Sequence, residues 1–147
     1  MLMTLATAAC WVSLLAPALA EERTMEADRQ AIEAAVMDYF EGQGERSAER
    51  LNRAFHAETA QMVGVLSAED GGTEIRSWAM RETIPRWSEG EPSTAERKGE
   101  ILSMNIADGR LATVMFDSDG RFFDALTLAK IDGEWKIVQK VFIRQDQ

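Results

Sequence analysis

Three Asp-Gly pairs, Asp108-Gly109, Asp119-Gly120 and Asp132-Gly133, punctuate the last third of this chain, and each separates two runs rich in strand-forming residues. Asp-Gly suits a two-residue hairpin turn because both central residues there take positive φ, which glycine adopts freely and aspartate tolerates. The spacing therefore predicts a four-stranded antiparallel meander over residues 98–107, 110–118, 121–131 and 134–144.

Upstream of the meander the periodicity is helical. Ile32, Ala35, Val36, Tyr39 and Phe40 recur at helical spacing over 25–40, and Gly42 and Gly44 are expected to end that helix. Ser47 can cap a second, short helix with Ala48, Leu51 and Phe55 on one face, followed by His56. The run AQMVGVL, 60–66, reads as a strand, the acidic Gly-Gly turn at 69–72 as a reversal, and 73–77 as a returning strand. Met80, Ile84 and Trp87 predict a third helix made irregular by Pro85. Residues 88–94, SEGEPST, read as a loop.

If every Asp-Gly turn holds two residues, Ile131 pairs with Glu134, Ser118 with Arg121 and Ala107 with Arg110. Alternation of side chains then assigns the faces. The expected core face carries Leu102, Met104, Ile106, Leu111, Met115, Phe122, Leu126, Leu128, Trp135, Ile137, Val141 and Ile143. Asp124 lies among them, opposite Met115 and Val141, with Gln139 as its diagonal neighbour and Glu100, Thr113 and Asp117 as other polar members. The opposite face carries Val114, Phe116, Phe123, Ala125, Val138 and Phe142 beside Ser103, Asn105, Thr127 and Lys140. That face is too apolar to be left in water, so a homodimer through the outer face of the sheet is expected.

A carboxylate inside an apolar strand needs hydrogen bonds, a counter-charge or a proton. Tyr39, on the apolar stripe of the first helix, and His56, at the end of the second, are the candidates to complete a polar cluster with Asp124 and Gln139. Such a cluster has two readings. It can be a structural junction between helices and sheet, or it can open into a pocket for a small hydrophobic or planar ligand, with Gln139, Trp78, Trp87 and Met115 as ligand-binding residues.

Helices followed by a strongly bent antiparallel sheet resemble the nuclear transport factor 2-like superfamily, and within it the putative lumazine-binding branch. The resemblance rests on Tyr39-Phe40 with Gly42, on RAFHAETAQMVG at 53–64, and on FFDALTLAKIDGEWKIVQKVF at 122–142. One departure is Ala57, where the family often has Pro after the Phe-His pair. The resemblance implies a cone-shaped α+β fold with helices packed on the concave side of the sheet. Its members include isomerases, dehydratases, cyclases, ligand binders and dimerisation modules, so it implies three functional classes. They are a ligand-binding pocket protein, a cofactor-free enzyme using Asp124, Tyr39 and His56, and a non-catalytic interaction module. In the enzyme reading the implied chemistry is an oxyanion hole, with a neutral Asp124 donating a hydrogen bond and His56 moving the proton.

Composition narrows the field. Asp and Glu number 25 against 16 Lys and Arg, a net charge of −9, and such a surface repels nucleic acid. One His and one Cys leave too few ligands for a zinc site, and no phosphate-binding glycine loop or Gly-x-Ser-x-Gly elbow is present, so neither metal nor cofactor is expected. Residues 1–20 carry no charged side chain and end in Ala18-Leu19-Ala20 before Glu21. That is the outline of a secretory signal peptide, although no Lys or Arg precedes the apolar run. Twenty apolar residues could instead form a membrane anchor. With cleavage after Ala20, Cys10 leaves with the signal, and residues 21–147 form a single cysteine-free domain, periplasmic or secreted and without membrane attachment.

Overall fold

A computed structural model of the chain describes residues 15–145. The elements run α1 (Leu15–Glu45), α2 (Ala48–Ala54), β1 (Gln61–Ser67), β2 (Thr73–Ala79), α3 (Met80–Trp87), β3 (Gly99–Ala107), β4 (Leu111–Ser118), β5 (Phe122–Ile131) and β6 (Glu134–Arg144). The six strands make one sheet in the order β2-β1-β6-β5-β4-β3. The predicted meander is present. Strand β1 lies parallel to β6, so the sheet is mixed. Among the described residues no helix is long and apolar enough to cross a membrane.

Helix α1 packs Ile32, Val36, Tyr39 and Phe40 onto the sheet, all at most 3% exposed. Its first buried residue is Asp28, which accepts from Lys130 Nζ at 2.7 Å and from the Trp135 indole at 2.9 Å. These bonds pin the middle of α1 to the β5–β6 turn, and the Lys130 ammonium, with the indole, holds the Asp28 carboxyl below its usual range. Gly42 and Gly44 do not end the helix, which runs on to Glu45. Their role is close approach: a Cβ on Gly42 would sit 2.9 Å from Arg50 Cβ, and one on Gly44 would overlap the Arg97 guanidinium. Ser47 caps α2 as expected, accepting from the Arg50 N–H at 3.2 Å.

The register departs from the simple arithmetic. All three Asp-Gly pairs have positive φ at both residues. Only the third makes a two-residue connection, with Ile131 opposite Glu134. In the other two the ladder resumes one residue later, with Ala107 opposite Leu111 and Ser118 opposite Phe122. The physical difference is the neighbouring strand. Arg110 and Arg121, the residues after each Asp-Gly, give their carbonyls to Lys130 N and Gln145 N, both at 2.9 Å. The third turn sits where β6 faces β1, which starts well away from it. Two bulges add to the slip, one at Leu102 in β3 and one at Val138 in β6.

A one-residue slip moves every side chain to the other face. Val114 and Phe116 are therefore core, 1% and 0% exposed, whereas Leu111 and Met115 face outward. Beyond the Val138 bulge β6 is inverted as well. Lys140 and Phe142 point inward, and Gln139, Val141 and Ile143 outward. Leu102, on its bulge, is exposed. The β5 assignment holds: Asp124, Leu126 and Leu128 are buried.

Candidate functional site

The inner face of the sheet is laid out in rows. Trp78, Met62, Lys140, Leu126 and Val114 lie side by side across β2, β1, β6, β5 and β4. The adjacent inner row is Gly64, Phe142, Asp124 and Phe116. Asp124 and Lys140 are thus diagonal neighbours on one face, brought there by the bulge at Val138. The Lys140 ammonium donates to Asp124 Oδ1. From the other side the Tyr39 hydroxyl, delivered by α1, donates to Asp124 Oδ2 at 2.7 Å. Both carboxylate oxygens accept, and the carboxylate is 0% exposed.

Each member is shaped by its surroundings. Burial pushes the Tyr39 phenol well above its ordinary 10, and the Asp124 charge beside it adds to the effect. Burial lowers the Lys140 ammonium from 10.5, with the Asp124 carboxylate opposing that shift. Lys140 Nζ also lies 5.1 Å from the centre of the Tyr39 ring and 4.9 Å from that of Phe142, within cation–π range.

Above this cluster lies a cavity of roughly 630 Å³, bounded by the end of α1, by α3, and by the inner faces of β1, β2 and β6. Lys140 and Tyr39 form its floor. Its walls are aromatic: Trp78 stacks with Phe142 at 6.2 Å, Trp87 stacks on Tyr39 at 6.1 Å, and Phe122 meets Phe142 edge-on at 5.7 Å. Gly64 makes the Trp78–Phe142 wall possible, since a Cβ there would come within 2.7 Å of Phe142 Cζ and 3.1 Å of Trp78 Cζ3. Lysine carries three N–H donors, and Asp124 is the one hydrogen-bond partner of Lys140 among the described residues. Two of its N–H donors therefore have no hydrogen-bond partner among the described residues, and Lys140 is in the cavity lining.

Four of the residues singled out in the sequence come together here: Asp124, Tyr39, Trp78 and Trp87. Three do not. His56 is half-buried outside the cavity lining, with Nδ1 at 2.8 Å from Thr59 Oγ1. Gln139 pairs with Thr127 on the outer face, and Met115 is outward and 39% exposed. The protonated, donating Asp124 of the oxyanion-hole picture also disagrees with the geometry, because Asp124 is the acceptor in both of its contacts. The residue that sequence reasoning missed is Lys140. A signal was available: it is the single charge between Ile137 and Ile143, as Asp124 is in its own apolar run. Two opposite charges in adjacent apolar strands are better placed facing each other than on opposite sides.

Tyr39 is the only tyrosine in the chain, so its ionisation can be read without interference. The folded state holds its proton where the unfolded chain would release it. This contribution to stability is complete below about pH 10, the unfolded value, and is lost as pH rises from there toward the folded value. Ultraviolet difference absorbance should show no tyrosinate at pH 10–11, and then its appearance together with loss of the folded circular dichroism signal. Tyrosinate forming near pH 10 in folded protein would mean that the hydroxyl is open to water.

With this geometry in place, the comparisons with known proteins agree on the fold. The model of the putative lumazine-binding family matches residues 27–143, and the chain belongs to that family. A nuclear transport factor 2-like protein of unknown function from Shewanella baltica OS155 superposes with a TM-score of 0.68 at 24% identity, over 82% of this chain and 96% of that one. A second, from Silicibacter pomeroyi DSS-3, gives 0.68 at 22% identity over 82% and 98%. A ketosteroid isomerase-like protein from Erwinia carotovora atroseptica SCRI1043 gives 0.55 at 13% identity over 80% and 96%. Among curated proteins none matches the chain. The fold is thus nuclear transport factor 2-like, three helices against an open six-stranded sheet.

Proposed function

We propose that this chain is a small-molecule-binding protein, its ligand lying between α1, α3 and the concave face of the sheet. One observation carries the reading: a buried ammonium with spare donors forms the floor of an aromatic-walled cavity. The cavity is within the size range of small-molecule sites, which is about 300–1,000 Å³. Aromatic walls suit a flat ring, and the free N–H groups of Lys140 suit an oxygen acceptor at its deep edge. The family's description as putative lumazine-binding is consistent with a planar ligand. Native mass spectrometry of protein purified from its own host tests this. A bound small molecule is expected, and its loss in Gly64→Val, which fills the wall, is expected with it. A bare chain at the gentlest ionisation energies counts against the proposal.

A second reading, cofactor-free isomerase, dehydratase or cyclase chemistry, is favoured by a lysine in the cavity lining that is hydrogen-bonded to the carboxylate Tyr39 also reaches, with burial lowering its proton affinity. A lysine moved toward neutrality by burial can act as a general base, so Lys140 rather than His56 would move the proton. Tyr39 would then orient Asp124.

The interaction reading survives with different residues. On the outer face Ile75, Val65, Ile143 and Phe123 form one row across β2, β1, β6 and β5, and Val63, Val141, Ala125 and Met115 form the next. Ile75 is 69% exposed. A second copy laid two-fold on this face would shield both rows at once, with each large side chain worth about 1.5–3 kcal/mol when fully buried. Sedimentation equilibrium should give a homodimer, and Ile75→Glu with Phe123→Glu a monomer. A parent protein monomeric at tens of micromolar would refute the dimer.

Export fits the distribution of contacts. Residues 16–27 are exposed, and the part of the predicted signal that lies at 1–14 is outside the described residues. Cleavage after Ala20 would remove no described buried side chain. Intact mass of protein from the periplasm should begin at Glu21.

A further inference from the structure

The cavity has the wrong charge for its protein. The whole chain carries 16 basic and 25 acidic side chains. Around the cavity the balance is reversed: Arg46, Arg86, Arg97, Arg121 and Lys140 line it, and Asp119 is its single acidic lining residue. Asp119 is already engaged, by Arg97 Nε at 3.3 Å and by the Lys98 backbone N–H at 2.9 Å. Arg97 is held in place besides, donating to the Phe40 carbonyl at 2.8 Å and lying 4.2 Å over the Phe40 ring. Lys140 is matched by Asp124. That leaves Arg46, Arg86 and Arg121. Arg46 and Arg86 bond only backbone carbonyls, of Trp87 and Glu82, and none of the three has a carboxylate within salt-bridge distance among the described residues. They come from just past the end of α1, from α3 and from the β4–β5 turn, and all three are in the cavity lining.

Resting on the pocket reading above, we infer that the ligand is a planar organic anion. Its ring lies along the Trp78–Phe142 and Trp87 walls, and its carboxylate or other oxyanion is held at the mouth by Arg46, Arg86 and Arg121. A guanidinium presents paired donors that match an oxyanion, and it is the weakly hydrated cation best suited to the edge of an apolar site. A net charge of −9 repels anions at long range, so a basic mouth has a purpose that a general basic surface does not: it makes one place on the protein attractive to them. A neutral ligand would make no use of the charge of these three guanidiniums, which have a backbone carbonyl (Arg46, Arg86) or the Phe122 ring (Arg121) beside them and no carboxylate among the described residues. The spare donors of Lys140 then read a neutral oxygen at the far edge of the ring.

The test compares naphthalene-2-carboxylate with naphthalene-2-carboxamide, which share ring and shape and differ by one charge. Binding is followed by NMR at the indole N–H signals of Trp78 and Trp87, with Trp135, buried against Asp28, as the signal that stays still. The carboxylate should bind about ten-fold tighter, the scale of one charge-assisted hydrogen bond, and the preference should shrink as salt rises. In Arg86→Gln with Arg121→Gln, both exposed positions, the preference for the carboxylate over the amide should fall below about three-fold. Equal affinity for the two probes overturns the anion and leaves the pocket standing. Preference persisting in the double variant overturns the assignment to the mouth. Failure of both probes to move Trp78 or Trp87 at millimolar concentration overturns the pocket reading and this inference together.

Discussion

Lys140→Ala is expected to lower the unfolding free energy by about 3–5 kcal/mol, because it leaves the Asp124 carboxylate buried without its counter-charge. Asp124 is 0% exposed and Lys140 4%, and a water entering from the cavity would hydrogen-bond the carboxylate without supplying a positive charge. The converse change is instructive. Removing both charges costs far less than removing one, since the desolvation of two ions disappears with their attraction. The Tyr39 hydroxyl donates to the same carboxylate, however, and an unsatisfied buried hydroxyl costs about 1–3 kcal/mol by itself. The triple variant Tyr39→Phe, Asp124→Leu, Lys140→Met should therefore lie within about 1–2 kcal/mol of the parent, and above Lys140→Ala. Urea unfolding of the three proteins measures this. A loss below about 1 kcal/mol for Lys140→Ala would mean that the pair sits in water and that the floor of the cavity is not as described.

Phe116→Ala should cost about 3–5 kcal/mol, and Met115→Ala less than about 1 kcal/mol. The two residues are adjacent on β4, and everything separates them by face. Phe116 is 0% exposed and meets Phe40 edge-on at 5.4 Å and Tyr39 at 6.3 Å. It also fills the space where a Cβ on Gly99 would otherwise sit, at 2.5 Å from its ring. Met115 looks outward beside Ala125 and Ser103. Had the Ser118–Arg121 turn held two residues, the order would be reversed, with Met115 in the core. Thermal or urea unfolding of the two variants decides which register β4 adopts.

That reversal marks how far the sequence could be read. The meander, the α1 stripe of Ile32, Val36 and Tyr39, the Ser47 cap and the burial of Asp124 were all legible, because each rests on a local rule: turn chemistry, helical period, capping geometry or alternation along one strand. The faces of β4 and of the end of β6 were not. They depend on what happens one residue past each turn, and there the third strand decides, through Arg110 and Arg121 giving their carbonyls to Lys130 and Gln145. The bulge at Val138 leaves no mark in the local pattern, yet it exchanges Gln139 for Lys140 as the partner of Asp124. An apolar outer face was expected and is present, though Val114 and Phe116 have moved to the core and Ile75, Val65 and Ile143 stand in the outer rows. The basic mouth was beyond reach for another reason. Arg46, Arg86 and Arg121 are far apart along an acidic chain, and only the closure of α1, α3 and the β4–β5 turn around one cavity brings them to the same place.

In the pocket reading, Tyr39 and Lys140, held together by the buried Asp124, line a ligand site rather than seal a junction between helix and sheet. The Lys140 ammonium reports on it directly. The Lys140 Nζ can be followed by ¹⁵N NMR through its non-exchanging Cε protons, which needs no slow exchange of its N–H groups, with the signal assigned by its loss in Lys140→Met. Titration with naphthalene-2-carboxamide, which fills the cavity whether or not the anion inference holds, should shift that signal together with those of the Trp78 and Trp87 indoles, with saturation at one common concentration. A Lys140 signal that stays fixed while the indoles saturate would contradict the account.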